Sequence, residues 1–152
     1  MKKYIIILLC LVSCKKIDNN GFRTYTIKCG NHKSRSALKT TKTNNLQFQV
    51  IFDSTAMYET IDPVNQWDVN KLYGTSDCGD RHQESSIRIG WRWLNDSLEL
   101  HWFRHDETFE FGKIKSVELN QIIDCSIQYD NSEYTINVDD IIVTIDRPCT
   151  RS

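Results

Sequence analysis

The chain has 152 residues with 19 basic and 20 acidic side chains, a formal charge of −1 at neutral pH. That balance excludes the strongly basic surface on which nucleic-acid binding depends. With a short targeting segment set aside, about 130 residues remain, enough for one domain with its own core and too few for two.

In chain order, the first feature is the opening MKKYIIILLCLVSCKK. Lys2 and Lys3 precede an apolar run over residues 4–12, and small Ser13 precedes Cys14. This is the layout of a secretory signal, and the run is short of the roughly 20 residues a permanent spanning helix needs. Its close, Leu11-Val12-Ser13-Cys14, resembles the lipobox of bacterial lipoproteins. The resemblance implies removal of residues 1–13 and lipidation of Cys14, which makes the membrane a partner through that lipid. Acyl chains contribute about 0.8 kcal/mol per buried CH₂, so two or more on one residue anchor stably. Lys15, rather than Asp, follows Cys14, which in the sorting rule of such lipoproteins implies the outer membrane, and no acidic run follows to suggest surface export, so the domain is expected to face the periplasm. Residues 14–21 form the lipidated cysteine and its tether, which reaches at most ~25 Å. Residues 22–152 form the single domain. Losing Lys2 and Lys3 lowers the basic count from 19 to 17 against 20 acids, a net charge of −3.

Residues 21–29 (GFRTYTIKC) alternate, with Tyr25, Ile27 and Cys29 on one side, and predict a strand. Residues 30–45 are polar and predict a long loop. No acid occurs between Asn19 and Phe52, whereas Arg23, Lys28, Lys33, Arg35, Lys39 and Lys42 are basic. Such a block either leans on anionic headgroups, at about 1 kcal/mol per residue, or is a solvated loop. Residues 46–52 (LQFQVIF) alternate as a second strand. In residues 62–74 (DPVNQWDVNKLYG), Asp62, Pro63 and Gly74 are helix start and stop signals. Val64, Trp67 and Leu72 fit a helical face only loosely, so a short helix and a turn-rich connection both stand. Trp67 and Tyr73 are the aromatic residues there most suited to an exposed contact. Residues 75–85 (TSDCGDRHQES) are a polar loop. Asp77, Asp80 and His82 have metal-ligand chemistry, but the loop supplies few of the oxygens calcium takes and matches no ligand spacing. The competing reading is a loop fixed by a disulfide at Cys78.

The segment from Ser85 onward, SSIRIGWRWLNDSLELHWFR, holds three of the four tryptophans. A two-residue turn at Asn95-Asp96 pairs Trp93 with Leu98, Trp91 with Leu100 and Ile89 with Trp102 on an apolar, core-facing side. The other side then holds Arg92 facing Glu99, Gly90 facing His101 and Arg88 facing Phe103. A second turn at His105-Asp106 pairs Arg104 with Glu107, Trp102 with Phe109, His101 with Glu110 and Leu100 with Phe111. Residues 112–121 predict a further strand centred on Val117 and Leu119. A turn at Asn131-Ser132 pairs Tyr129 with Tyr134, Ile127 with Ile136 and Cys125 with Val138. A turn at Asp139-Asp140 pairs Val138 with Ile141, Ile136 with Val143 and Tyr134 with Ile145. The expected fold is all-β, an antiparallel β-sandwich or small barrel of about eight strands with at most one short helix.

Cys10 leaves with the signal and Cys14 carries lipid, so Cys29, Cys78, Cys125 and Cys149 remain. Four cysteines in an oxidising compartment predict two disulfides, with three connectivities open, and Cys149 stapling the tail to the body. Zinc is disfavoured because the C-x-x-C spacing is absent. The candidate ligand face is Arg88, Arg92, Glu99, His101, Phe103 and Glu110. A His101–Glu110 pair suits acid–base chemistry, and equally a solvated cross-strand contact. No nucleophile elbow, phosphate loop or dinucleotide fingerprint is present, and no cofactor is implied. The run DVNKLYG…SDCG…GWRW…LEL, over residues 68–100, is similar to what recurs in small bacterial lipoproteins of no assigned activity. The expected function is a non-catalytic, membrane-anchored envelope domain that binds a ligand or an envelope protein or glycan partner. The alternatives are an envelope hydrolase with a His/carboxylate site and a structural assembly accessory.

Overall fold

A computed structural model describes residues 21–28, which fall within a first unit (Met1–Thr41), and residues 43–149, within a second (Lys42–Ser152). The signal, Cys14, Cys29 and Lys33–Lys42 of the basic block lie outside the described residues. Residues 21–28 form no strand: Arg23 alone is a bridge residue, and Tyr25 and Ile27 are exposed. The alternation there buries no apolar face, and the Arg23 guanidinium lies 4.8 Å from the Tyr25 ring centre instead.

The described residues of the second unit form eight strands: β1 (Asn45–Val50), β2 (Asn70–Ser76), β3 (Ser85–Leu94), β4 (Ser97–Asp106), β5 (Thr108–Val117), β6 (Ile123–Tyr129), β7 (Glu133–Val138) and β8 (Ile141–Asp146). They form two four-stranded antiparallel sheets, ordered β1-β6-β7-β8 and β2-β3-β4-β5, in a β-sandwich. Among the described residues no helix is long and apolar enough to cross a membrane.

Turn chemistry sets the register. Asn95 and Asp96 both take positive φ, at 50° and 57°, the pattern of a two-residue hairpin whose twist matches its strands. Trp91↔Leu100, Ile89↔Trp102, Arg92↔Glu99 and Gly90↔His101 all pair as the alternation requires. In the other sheet Asp130 accepts hydrogen bonds from the Ser132 and Glu133 backbone N–H groups, at 2.8 and 2.9 Å, closing the β6–β7 turn. Asp139, at φ 53°, turns β7 into β8. Tyr129↔Tyr134, Ile127↔Ile136 and Ile136↔Val143 follow.

The β4–β5 connection departs from expectation. Its tip is Glu107, at φ 51°, with Asp106 facing Thr108, so β5 is displaced from the expected register. Phe103 now faces Phe111, and Arg104 faces Glu110. The displacement is by an odd number of residues, and side chains alternate with period two, so Phe109 and Phe111 turn away from the core. Gly112 lies opposite Trp102 instead, where a Cβ would come within 2.5 Å of the indole Nε1. The strand expected over residues 112–121 is the continuation of β5, not a separate element.

The 62–74 segment is a short 3-10 turn, Pro63–Trp67, followed by β2. The Asp62 carboxylate caps it by accepting from Val64 N at 3.1 Å, and Gln66 pins it to β3 by donating to the Trp93 carbonyl at 2.7 Å. Gly74 is therefore a strand residue rather than a helix stop. A side chain there would collide with the backbone of Ile87 and Arg88, so glycine is what lets β2 lie against β3.

The core lies between the sheets. Ile87, Ile89, Leu98 and Leu100 from one meet Ile123, Ile127, Tyr134, Ile136 and Val138 from the other. Trp91, Trp93 and Trp102 are half-buried against this cluster, with Trp91 touching Phe52 at a ring separation of 5.2 Å. The tryptophans face inward, and large buried rings contribute several kcal/mol each at ~25 cal/mol per Å².

Cys78 and Cys149 form a disulfide, closing a separation of 71 residues and stapling the C-terminal segment to the loop before β3. Cys125 corrects the two-disulfide expectation. It is a free, buried thiol on the core side of β6, between Ile123 and Ile127 in the alternation, and burial pushes its pKa up to about 12. Its side chain serves as a small apolar group.

Candidate functional site

The outer face of the β2–β5 sheet carries every residue of the expected ligand face except Glu110, and more. Across β2, β3, β4 and β5 the register sets out three rows: Ser76, Ser86, His105 and Phe109; Gly74, Arg88, Phe103 and Phe111; Lys71, Gly90, His101 and Lys113. Arg92, Glu99 and Ser116 continue the face beyond them.

The middle of this face, around His101, Glu99 and Phe103, is closed where a solvated surface was expected. His101 is only 2% exposed, and Glu99 and Phe103 are buried. One glycine explains part of this. A Cβ on Gly90 would strike Val69 and come within 2.9 Å of the Asn70 carbonyl oxygen, so the chain entering β2 lies against the sheet here. Long side chains do the rest: Lys71 Nζ sits 5.1 Å from the Phe103 ring centre, and Arg88 folds back to donate to the His82 carbonyl and, at 3.0 Å, to Ser86 Oγ. Burial, with the neighbouring Arg88 charge, lowers the Lys71 pKa below its ordinary value.

Glu99 is the hub. Its Oε2 accepts from Arg92 Nε at 2.8 Å and lies 3.1 Å from His101 Nε2, and its Oε1 accepts from Lys113 Nζ at 2.7 Å. Burial raises its pKa, but the hydrogen bonds from Lys113, Arg92 and His101 outweigh burial and bring it down to about 2. An ionised Glu99 requires the proton on His101 Nε2. His101 Nδ1 is then a lone pair, buried without a hydrogen-bond partner among the described residues. Burial lowers the His101 pKa, the bond to Glu99 opposes this in part, and the Arg92 charge adds to the lowering.

The expected His101–Glu110 pair does not form. Glu110 belongs to Arg104, at 2.8 Å, because of the β5 displacement, and His101 faces Lys113. The carboxylate at His101 is Glu99, two residues away on the same strand. It carries three charge-assisted bonds, and the imidazole is sealed. A general base needs a lone pair that substrate can reach, and neither group offers one. The arrangement seals the middle of a sheet face.

The open part of this face is aromatic. Phe109 is 60% and Phe111 42% exposed, and both rings lie parallel to Phe103, at 5.8 and 6.1 Å with interplanar angles of 7° and 4°. His105 adjoins Phe103 and Phe109 at 6.4 Å. Trp67 is exposed at the far corner, with the Arg92 guanidinium 5.7 Å from its ring. Tyr73 is half-exposed but belongs to the core side of β2, edge-on to Phe48 at 5.1 Å. Sequence reasoning missed Phe109 and Phe111 as surface residues. Gly112 was the available signal, since it is the residue small enough to lie beneath Trp102.

The loop residues Asp77, Asp80 and His82 do not converge as metal ligands, and no metal-holding group of three His, Cys, Asp or Glu side chains occurs among the described residues. Asp77 is buried and engaged. It accepts from Tyr134 OH at 2.5 Å, from Arg147 Nε and Nη2 at 2.7 and 2.8 Å, and from Cys78 N at 2.7 Å. Burial raises its pKa, but the bonds from Arg147, Tyr134 and Cys78 together hold it below the ordinary carboxylate value. Arg147 also donates to the Asp130 carbonyl at 2.6 Å and lies 5.0 Å from the Tyr129 ring centre. This cluster, beside the Cys78–Cys149 bridge, lines a shallow depression of about 550 Å³. A second depression, of about 410 Å³, lies over Gln47, Gln49, Asp124, Ser126 and Asn137. Neither is lined by a histidine. No family model, no curated protein and no solved structure matches this chain.

Proposed function

We infer that the protein is a lipid-anchored lipoprotein of the bacterial envelope, outer-membrane and periplasm-facing, whose β-domain binds a partner without catalysing a reaction. The anchor rests on Lys2, Lys3, the apolar run and the Leu11-Val12-Ser13-Cys14 close. One observation carries the binding role: Phe109 and Phe111 stand exposed in parallel with Phe103, beside the buried Glu99 network. Exposed contiguous rings are costly in water and mark contact surfaces. The hydrolase reading loses support because Glu99 is saturated and His101 is covered.

Two measurements test this reading. With labelled palmitate in a bacterial host, the wild-type chain takes up label and fractionates with membranes, and Cys14→Ser abolishes both. Label uptake by Cys14→Ser, or a wild-type chain found in the soluble fraction, removes the anchor. For the face, Phe109→Ser with Phe111→Ser keeps the melting temperature of the parent and loses cross-linking to envelope components. Retained cross-linking removes this face as the contact surface.

A further inference from the structure

We propose that the outer edge of β5, over residues 108–112, receives an extended acidic segment of a partner protein as an added strand. The proposal rests on the binding role assigned to this face and names the class of partner.

β5 is the last strand of the β2-β3-β4-β5 sheet, so among the described residues one side of its backbone has no neighbouring strand. Such an edge presents unpaired N–H and C=O groups and templates the addition of a strand unless it is protected. Protection along β5 is uneven. Its C-terminal half carries a register break opposite Leu100 and His101, the two lysines Lys113 and Lys115, and a tie from Lys115 to Asp139 and Asp140 at 3.1 and 3.6 Å. Bulges and lysines are the usual devices that keep an edge from pairing. The N-terminal half, Thr108-Phe109-Glu110-Phe111-Gly112, has neither. Its two phenylalanines project on one face at strand period and are exposed. A strand added alongside sets its own alternate side chains about 5 Å from theirs.

Charge selects the partner. Among the described strand residues the outer face carries Lys71, Arg88, Arg92 and Lys113 against one carboxylate, Glu99, an excess of three positive charges in a chain whose net charge is −1, while Glu110 of the edge lies on the other side and is bonded to Arg104. Lys113, half-exposed and next after Phe111 on the same face, is the first cation an added segment meets. A second copy joined edge to edge would extend the face and double its positive charge, so an acidic segment is favoured over self-association. An acidic glycan would match the rings and cations but would leave the strand edge unpaired.

The test uses the full chain in detergent and a displayed library of random short peptides, with counter-selection against the Phe109→Ser/Phe111→Ser variant. The expected peptides alternate acidic with apolar or aromatic residues. They slow hydrogen exchange over residues 108–112, weaken with added salt, and bind the variant at least about tenfold more weakly. Enrichment of basic peptides, or of peptides the variant binds equally well, overturns the proposal. Polygalacturonate is the parallel probe. If it binds in a phenylalanine-dependent way and no peptide does, strand addition is overturned while the face remains a binding surface. If neither probe shows phenylalanine dependence in a variant that melts like the parent, both the added strand and the binding face are overturned.

Discussion

Asp77 and Glu99 are both carboxylates withdrawn from water and surrounded by donors, yet they join different things. Asp77 reaches Arg147, 70 residues away, beside a disulfide that closes a separation of 71. Glu99 reaches Arg92, His101 and Lys113, all on its own strand or an adjacent one. The first cluster holds the C-terminal segment to the body. The second seals one face of one sheet. A buried charge network at a chain junction therefore constrains the fold, whereas one within a sheet constrains only a surface.

The largest expected effect breaks the junction. Asp77→Ala strands the Arg147 guanidinium and the Tyr134 hydroxyl in a buried setting, and removing one partner of a buried pair costs about 3–5 kcal/mol. Urea unfolding is the measurement, and an unchanged midpoint would show that the junction does not hold the fold. Next comes the bridge: replacing Cys78 and Cys149 together by Ser is expected to cost ~2–4 kcal/mol, chiefly by freeing a long loop in the unfolded chain. Glu99→Gln is expected to cost less, about 1–3 kcal/mol. The Lys113 side chain is 45% exposed, so water replaces part of what it loses. If Glu99→Gln proves more damaging than Asp77→Ala, the comparison is the wrong way round.

Much of the fold could be read from sequence wherever a turn announced itself. Asn95-Asp96 and Asp139-Asp140 offer residues that tolerate positive φ, and the pairs flanking both turns form as expected. The β4–β5 turn is centred on Glu107, whose residue type does not advertise a left-handed backbone, and there the reading failed. That one error moved Phe109 and Phe111 to the wrong face and gave His101 the wrong carboxylate. β2 was hidden because Asp62, Pro63 and Gly74 imitate the ends of a helix. Arg88, Arg92, Glu99, His101 and Phe103 were placed on the correct face, but their burial was not legible. It depends on Val69 and Asn70 lying over Gly90 and on Lys71 reaching Phe103, contacts between strands whose pairing the sequence did not announce. The Asp77–Arg147 pair, so distant in sequence, left no local signal at all.

The smallest effect separates the parts of the Glu99 network by pH. Burial holds the His101 imidazole below its ordinary value of 6.5. Above that value the folded and unfolded chains are both neutral at this site, and stability is unaffected. Below it the unfolded chain takes up a proton that the folded chain refuses, so stability falls on acidification, by at most about 1.4 kcal/mol per pH unit. Glu99 acts later. Its folded pKa of about 2 lies below the ordinary 4.5, so its contribution is complete above 4.5 and is lost as pH falls from there toward 2. Between these ranges, at about pH 5, the histidines alone account for the loss among these groups. His105, whose pKa burial also lowers, contributes in the same direction. His101→Gln is therefore expected to shrink, without abolishing, the fall in urea midpoint between about pH 7.5 and pH 5. Glu99→Gln is expected to flatten the further fall below pH 4.5. If His101→Gln leaves the upper range unchanged, His101 is solvated and the outer face is open rather than sealed. That result would also remove the contrast with Asp77 on which the ordering of the larger effects depends.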